Sequence, residues 1–522
     1  MTQRVIISFV VTLFFATTLF AQAPTGANFS WNPEPKQPLI TSMWDYTFLK
    51  GNENLFYYFQ KNYQGVSQIM EYNAKANKIR NLPLKLKTEG VERDWRLVNT
   101  LNDTICIFSS FKNSKKNKYY FFVENVDINK FVLKNNPRMI AEIDYENVKG
   151  LKSSDFDLWL SDDEKHILIS YTLQSKDGSI LRYGFKVLDL QFNEIWKFED
   201  DIPKVQGKWF LYKYIIDHDA NVYMTSRAFE DPKDANKHYE RSKLYVKLIN
   251  KDGSTGTNQE LSLSGDKFIT AQDFHVNEKN ELVCIGLYAK KGNESAVGNF
   301  SIVCNQGQTS IRSIDSRDFD KSFFTKGMDE KSVQKMEEKI DNDKEFEKDF
   351  RYDFGGKIKR KDGGTSHVIQ KKKLIITTIY NRQTGKTIFY NFYYDDIIVL
   401  TYNAEGKIMW VQKIPQTQRL INSANFYGGY IRNIDQDDRL NFIYNLTSSG
   451  ITQIRLGSVK KTVCLSLDKD GKESFIELST GNDGKNFSPL LSTYLGDGKF
   501  LVGATDIGFF KTKYRWGVMT LE

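Results

Sequence analysis

Eight times along this chain a polar turn runs straight into a block of alternating apolar residues, and the copies recur about every 60 residues from end to end. The blocks begin at Leu55, Ile105, Ile167, Val222, Leu282, Leu374, Leu440 and Phe500, so the steps are 50, 62, 55, 60, 92, 66 and 60 residues. Self-similarity at such a period identifies a repeat architecture before any single residue does. Within a copy the pattern has period two and is broken by Gly or Asx turns, the signals of antiparallel strands. Residues 155–202 read as FDLWLS, HILISYTL, GFKVLDL and EIWKFED, and residues 210–263 repeat the same order of four strands. Gly253, Gly307, Gly406 and Gly471 stand where the hairpin between the third and fourth strands needs positive φ.

A four-stranded sheet cannot bury both of its faces alone. Copies must therefore pack on one another, and radial closure is the arrangement that leaves few exposed edges. The expectation is an all-β chain, a β-propeller of eight four-stranded blades; seven is the alternative, because the first copy is short and its innermost strand, near Trp44 to Leu49, is weakly marked. The last copy leaves no room for a fourth strand before Glu522, and Gln37 to Met43 is the segment expected to supply it. The step of 92 contains residues 317–349, whose stretch MDEKSVQKMEEKIDNDKEFEKDF is rich in helix formers with Val333, Met336 and Ile340 on one stripe. A helical insertion between blades five and six, lying on the propeller surface, is expected.

Residues 1–21 carry one charge, Arg4, followed by an apolar run and small residues, which predicts a secretory signal peptide cleaved after Ala21. The body would then be a single propeller domain over 22–522, periplasmic or secreted. With no Cys after the apolar run it is not a lipoprotein, and no later segment is long and apolar enough to cross a membrane. The net charge of +8 is spread over 73 basic and 65 acidic side chains, a mixed solvated surface that argues against a nucleic-acid partner. The four cysteines lie inside apolar blocks; only Cys284 and Cys304, on either side of one hairpin, make a candidate disulfide.

The long connections fall on one face. The insertion, the segment Arg382 to Tyr394 and the segment Glu230 to Arg241 all emerge where strands two and three, or successive blades, are joined. Elaborated loops on a rigid scaffold are where binding resides. The densest chemistry there is Arg382 with Tyr393, Tyr394, Asp395 and Asp396, the candidate binding residues. Neighbours on a strand point to opposite faces, so Asp395 and Asp396 can serve one site only across a bulge. The five histidines are scattered without a nucleophile motif, and the Asp217–Asn221 and Asp468–Gly471 segments, which resemble the opening of a calcium loop, have no Glu at the twelfth position. No catalytic residue, metal ligand or cofactor is assigned.

Asp362-Gly363-Gly364, then Tyr393-Tyr394-Asp395-Asp396 opening an apolar strand, then Gly406, Trp410, Ile414-Pro415 and Gln418, together resemble exported, uncharacterised Bacteroidetes β-propeller proteins. Those carry a DGG turn, a YYND strand start and a G...W...IPK.Q ending. Asp395 replaces the usual Asn, and Gln416 the Lys that is common there. The resemblance implies a fold and a compartment, and no reaction. The chain is thus read as a non-enzymatic exported propeller that binds a protein or glycan on its long-loop face. The alternatives are a hydrolase or lyase acting on extracellular polysaccharide, with carboxylates converging on the central pit, and a cell-envelope scaffold.

Overall fold

The computed structural model describes residues 26–31, 37–38, 45–51, 54–61, 67–73, 77–88, 90–134, 137–145, 156–177, 180–203, 209–231, 239–342, 344–346, 350–381, 385–421, 428–435, 437–447, 459–480, 485–507 and 512–521. The expected signal peptide and Arg382 lie outside them. Among the described residues, eight antiparallel sheets of four or five strands follow one another along the chain, each a meander of consecutive strands except that the second and sixth add a strand off that path and the eighth is completed by strands from the N-terminal region. In the third, Phe156–Leu160, His166–Gln174, Ile180–Asp189 and Glu194–Pro203 succeed each other in register. Apolar residues on both faces of each sheet explain why they stack: in the sixth, Ile398 and Leu400 turn toward the fifth sheet while Ile397 and Val399 turn toward the seventh. Eight side-chain clusters each unite two neighbouring sheets, and the series returns from the eighth sheet to the first through Leu501 and Trp516 against Tyr58 and Tyr72. This is a β-propeller. Among the described residues no helix is long and apolar enough to cross a membrane.

Tight turns lock neighbouring sheets together. Gly406 and Gly471 adopt φ of +78° and +81°, which a Cβ would strain. A Cβ on Gly471 would also meet the Trp410 ring at 2.9 Å. That ring donates its Nε1–H to Lys469 O at 2.9 Å, so an outer-strand tryptophan of the sixth sheet caps a turn of the seventh. Trp196 does the same to Ala220 O at 2.8 Å. The two segments that resemble calcium loops are such turns: Asp217 Oδ1 accepts the Asp219 and Asn221 amides, and Asp468 Oδ1 those of Asp470 and Lys472.

Four expectations need correction. The closing strand is Ala27–Trp31, paired with Thr512–Leu521 from Ala27 opposite Leu521 to Trp31 opposite Gly517; Gln37–Pro38 adds only a two-residue extension. The second strand of the sixth sheet begins at Thr365, nine residues before Leu374. Of the expected connection Arg382 to Tyr394, the described part, Gly385 to Tyr394, is not a loop but belongs to a long hairpin, Thr365–Asn381 against Gly385–Tyr402, because β-branched and aromatic residues continue the alternation beyond the blade on both sides. Cys284 and Cys304 are not bridged. Cys284 stands opposite Ile302, so the two are diagonal neighbours, a separation at the limit of disulfide reach.

Burial pushes the thiols up, Cys106 to about 11 and Cys304 and Cys464 to about 12. Thiolate is the reactive form. Titration with an aromatic disulfide should therefore detect almost no fast-reacting thiol in the native protein and all four cysteines in denaturant; rapid native reaction would contradict the buried placement.

Candidate functional site

The inserted segment supplies two short helices, α1 (Lys321–Thr325) and α2 (Glu330–Asp341). Asp320 and Asp329 cap them by accepting the Phe323 and Ser332 amides. The stripe Val333, Met336 and Ile340 is only half-buried, which agrees with a helix resting on the surface. The rest of the insertion is docked more firmly than expected. Phe319 and Phe324 enter the core between the fifth and sixth sheets, and Phe346 N–H donates to Ser295 Oγ at 2.9 Å.

Between this insertion and the base of the long hairpin lies a pocket of about 380 Å³. Phe323, Phe324, Met336, Phe346 and Phe350 form its apolar wall, and Tyr393, Tyr394, Asp395, Asp396, Lys371, Lys413 and Arg419 its polar one. Four of the five sequence-predicted binding residues thus line one cavity. A β-bulge makes this possible. Gln370 opposes Ile397 and Lys372 opposes Tyr394, so Asp395 and Asp396 together face Lys371, and the alternation that would have separated the carboxylates is interrupted.

The polar wall is a charge-balanced network. Lys371 Nζ lies 3.4 Å from Asp395 Oδ2 and 3.6 Å from Asp396 Oδ2, and Lys413 Nζ lies 3.6 Å from Asp396 Oδ2. Both lysine side chains are nearly buried, at 7% and 5% exposure, which a charged group tolerates only with partners. Lys413 also donates to Phe324 O at 2.7 Å, pinning the last turn of α1. Thr417 Oγ1 donates to Asp395 Oδ1 at 3.4 Å. Aromatic faces complete the neutralisation: Lys371 sits 5.1 Å from the Phe350 ring and Arg419 5.6 Å from that of Tyr393. Gln416 and Gln418 lie behind, where Gln418 ties the sixth sheet to the seventh through Asn445 O at 2.8 Å and the Gly429 amide at 3.0 Å. Matched carboxylates and ammonium groups at these distances fix the geometry of the wall, and fixed polar groups beside aromatic faces can recognise a ligand.

Lys371 and Lys413 were missed by sequence reasoning. The signal existed for Lys413, a lysine at an inward position of the apolar strand Ile408–Ile414.

A second polar constellation lies around the innermost strands. Lys213 Nζ pairs with Asp273 Oδ1 at 2.8 Å and Lys357 Nζ with Asp162 Oδ1 at 2.6 Å. Asp162 Oδ2 also accepts the Val276 amide at 2.7 Å. A turn of the third sheet thus reaches the fifth and sixth. Burial works to raise the Asp273 carboxyl, but the Lys213 ammonium more than offsets it and the group sits below the usual range. Burial lowers Lys357, against the pull of Asp162. Beside them the His275 and His367 rings lie 4.9 Å apart. Nothing in the local sequence marks these residues as neighbours.

No family model and no curated protein matches the chain. Among solved structures it is similar to the β-propeller domain of the Trilobed protease from Pyrococcus furiosus, with 11% identity, 88% of this chain and 98% of that one covered, and a TM-score of 0.34. It is also similar to the WD40 domain of SCAP from fission yeast, with 9% identity, coverage of 96% and 99%, and a TM-score of 0.37, and to the polysaccharide lyase Uly1, with 9% identity, coverage of 94% and 99%, and a TM-score of 0.34. At these values the likenesses carry no argument about activity; the propeller fold is common to this chain and the first two.

Proposed function

We propose that this is an exported, non-enzymatic binding propeller that engages a protein or glycan partner on its long-loop face, through the pocket beneath the helical insertion. The observation that carries the reading is the bulge that turns both Asp395 and Asp396 toward Lys371 inside an aromatic-walled cavity. Stacking faces beside fixed donors and acceptors suit a sugar ring or a polar peptide side chain equally. Export rests on the N-terminal sequence and on the likeness of the sixth repeat to exported propellers.

The test is a pull-down from the native cell-envelope fraction, comparing wild type with a Tyr393→Ala, Arg419→Ala variant. Tyr393 and Arg419 are paired across the pocket rim, so the variant should keep its thermal midpoint within a few degrees and lose the specific partner. An unchanged partner list overturns the reading.

A second reading, a polysaccharide hydrolase or lyase, is favoured by one observation: carboxylates of the third and fifth sheets, Asp162 and Asp273, gather with Lys357 and a histidine pair near the innermost strands. Cleavage of extracellular polysaccharide by the wild type and its loss in Asp273→Asn would establish it; a wild type inert on neutral and uronate-containing polymers removes it.

A further inference from the structure

The long hairpin of the sixth sheet outruns its neighbours. Its second strand pairs with Arg351–Lys359 only as far as Lys372, and its third with Gln418–Ile421 only from Tyr394 to Asn391. Beyond those points, among the described residues, Leu374 to Asn381 pair only with the third strand, and from Ile376 opposite Tyr390 to Asn381 opposite Gly385 no third strand pairs with either. Six residues at about 3.3 Å each make a two-stranded arm projecting about 20 Å.

This arm is apolar on both faces. Register puts Leu374, Ile376 and Tyr380 on one face with Phe392, Tyr390 and Ile388, and Ile375 and Ile379 on the other with Phe389. Tyr380 is 77% exposed, Ile376 58%, Leu374 52% and Ile379 51%. A long uncharged strand edge flanked by such side chains is a ready template for another strand. Natural proteins blunt such an edge with an inward charge, a proline or a bulge, and Leu374 to Tyr380 contains neither a charge nor a proline.

Charge selects the occupant. Lys371 and Lys372 are already paired with Asp395, Asp396 and Asp353, but from Lys373 to Tyr394 there are three further cations, Lys373, Arg382 and Lys386, and no carboxylate. Two copies of the arm would bring like charges together. A membrane is also a poor match: entry tip-first drags Lys386 into the bilayer, where a charge is costly, and lying flat leaves one apolar face in water. We propose that the edge Leu374–Tyr380 accepts an extended acidic segment of a partner protein by β-strand addition, its alternate side chains packing on the two apolar faces and its carboxylates balancing the arm's positive charge. This rests on the binding reading of the long-loop face and names the kind of partner.

The experiment titrates the purified full chain with two labelled ten-residue peptides, one alternating valine with glutamate and one alternating valine with lysine. The acidic peptide is expected to bind at least tenfold tighter, to weaken as salt is raised, and to protect the amides of Leu374–Tyr380 from hydrogen exchange. Ile376→Asp and Lys386→Glu, both at exposed positions, should each cost tenfold or more, while Lys335→Met, exposed on α2, leaves binding intact. Equal binding of the two peptides, or none, overturns the proposal. Binding lost in Tyr393→Ala but kept in Ile376→Asp also overturns it and leaves the pocket as the recognition site. Concentration-dependent self-association, or sedimentation with phosphatidylglycerol vesicles, abolished by Ile376→Asp would overturn it in favour of a second copy or a lipid surface.

Discussion

Lys413→Met is expected to destabilise the protein by about 3 kcal/mol and to undock the helical insertion. Methionine nearly conserves the volume, so little of the loss is a cavity. The Phe324 carbonyl loses the donor that holds it at 2.7 Å, and Asp396 loses one of the two ammonium groups beside it. Removing one partner of a nearly buried charge network leaves the other charge uncompensated, and that costs more than the pair itself contributes. Chemical denaturation gives the stability change. Limited trypsinolysis reads the undocking, because Lys331, Lys335, Lys339 and Lys344 all lie in the segment that would be released. Lys335→Met, on the exposed side of α2, should shift stability by no more than about 0.5 kcal/mol. If Lys413→Met keeps both the wild-type midpoint and the protease resistance, the insertion is held by its phenylalanines alone.

Acid should weaken the fold through the histidine pair. His367 is fully buried, and burial depresses it to about 4, with Asp273 pulling the other way; His275 is likewise driven well below its usual range by burial. In the unfolded chain each takes up a proton near 6.5, and in the folded protein it does not. Between those values the unfolded state binds more protons, so stability is complete above about pH 6.5 and falls as pH drops toward 4. Over that window His367 alone removes roughly 3 kcal/mol, and His275 adds in the same direction. Urea midpoints at pH 7 and pH 4.5 measure the fall, and His367→Gln should flatten the slope. A slope that is unchanged in that variant would place the acid sensitivity elsewhere.

Much of the fold was legible. All eight apolar blocks fall within strands of the eight sheets, seven of them at or within a residue of the start of a second strand. The positive φ of Gly253, Gly307, Gly406 and Gly471 is where the hairpin rule puts it. The remaining block, the sixth, at Leu374, was misplaced because alternation tells only that a strand runs, not where its neighbours end. Leu374 continues the pattern begun at Thr365, and what changes between them is the loss of flanking strands. Ala27–Trp31 went unrecognised as the closing strand because a single short apolar segment has no repeat partner to mark it.

The candidate site divides the same way. Tyr393, Tyr394, Asp395 and Asp396 stand out as a local cluster, and local clusters are what a linear pattern can reveal. The bulge at Lys371 supplies the condition under which the two aspartates can serve one site, and it arises from strand pairing ten residues along the hairpin from its last pair, Asn381 opposite Gly385. Sequence by itself determined the period, the strands and the turns of this protein, because each depends on contacts within about 60 residues and on a hydrophobic alternation that any blade must satisfy. Tertiary structure alone decided which lysine meets which aspartate, which turn reaches across to Val276, and which apolar strand is left without neighbours. Those depend on how separate blades meet around the ring, and the alternation within any one of them is the same whichever residues lie opposite.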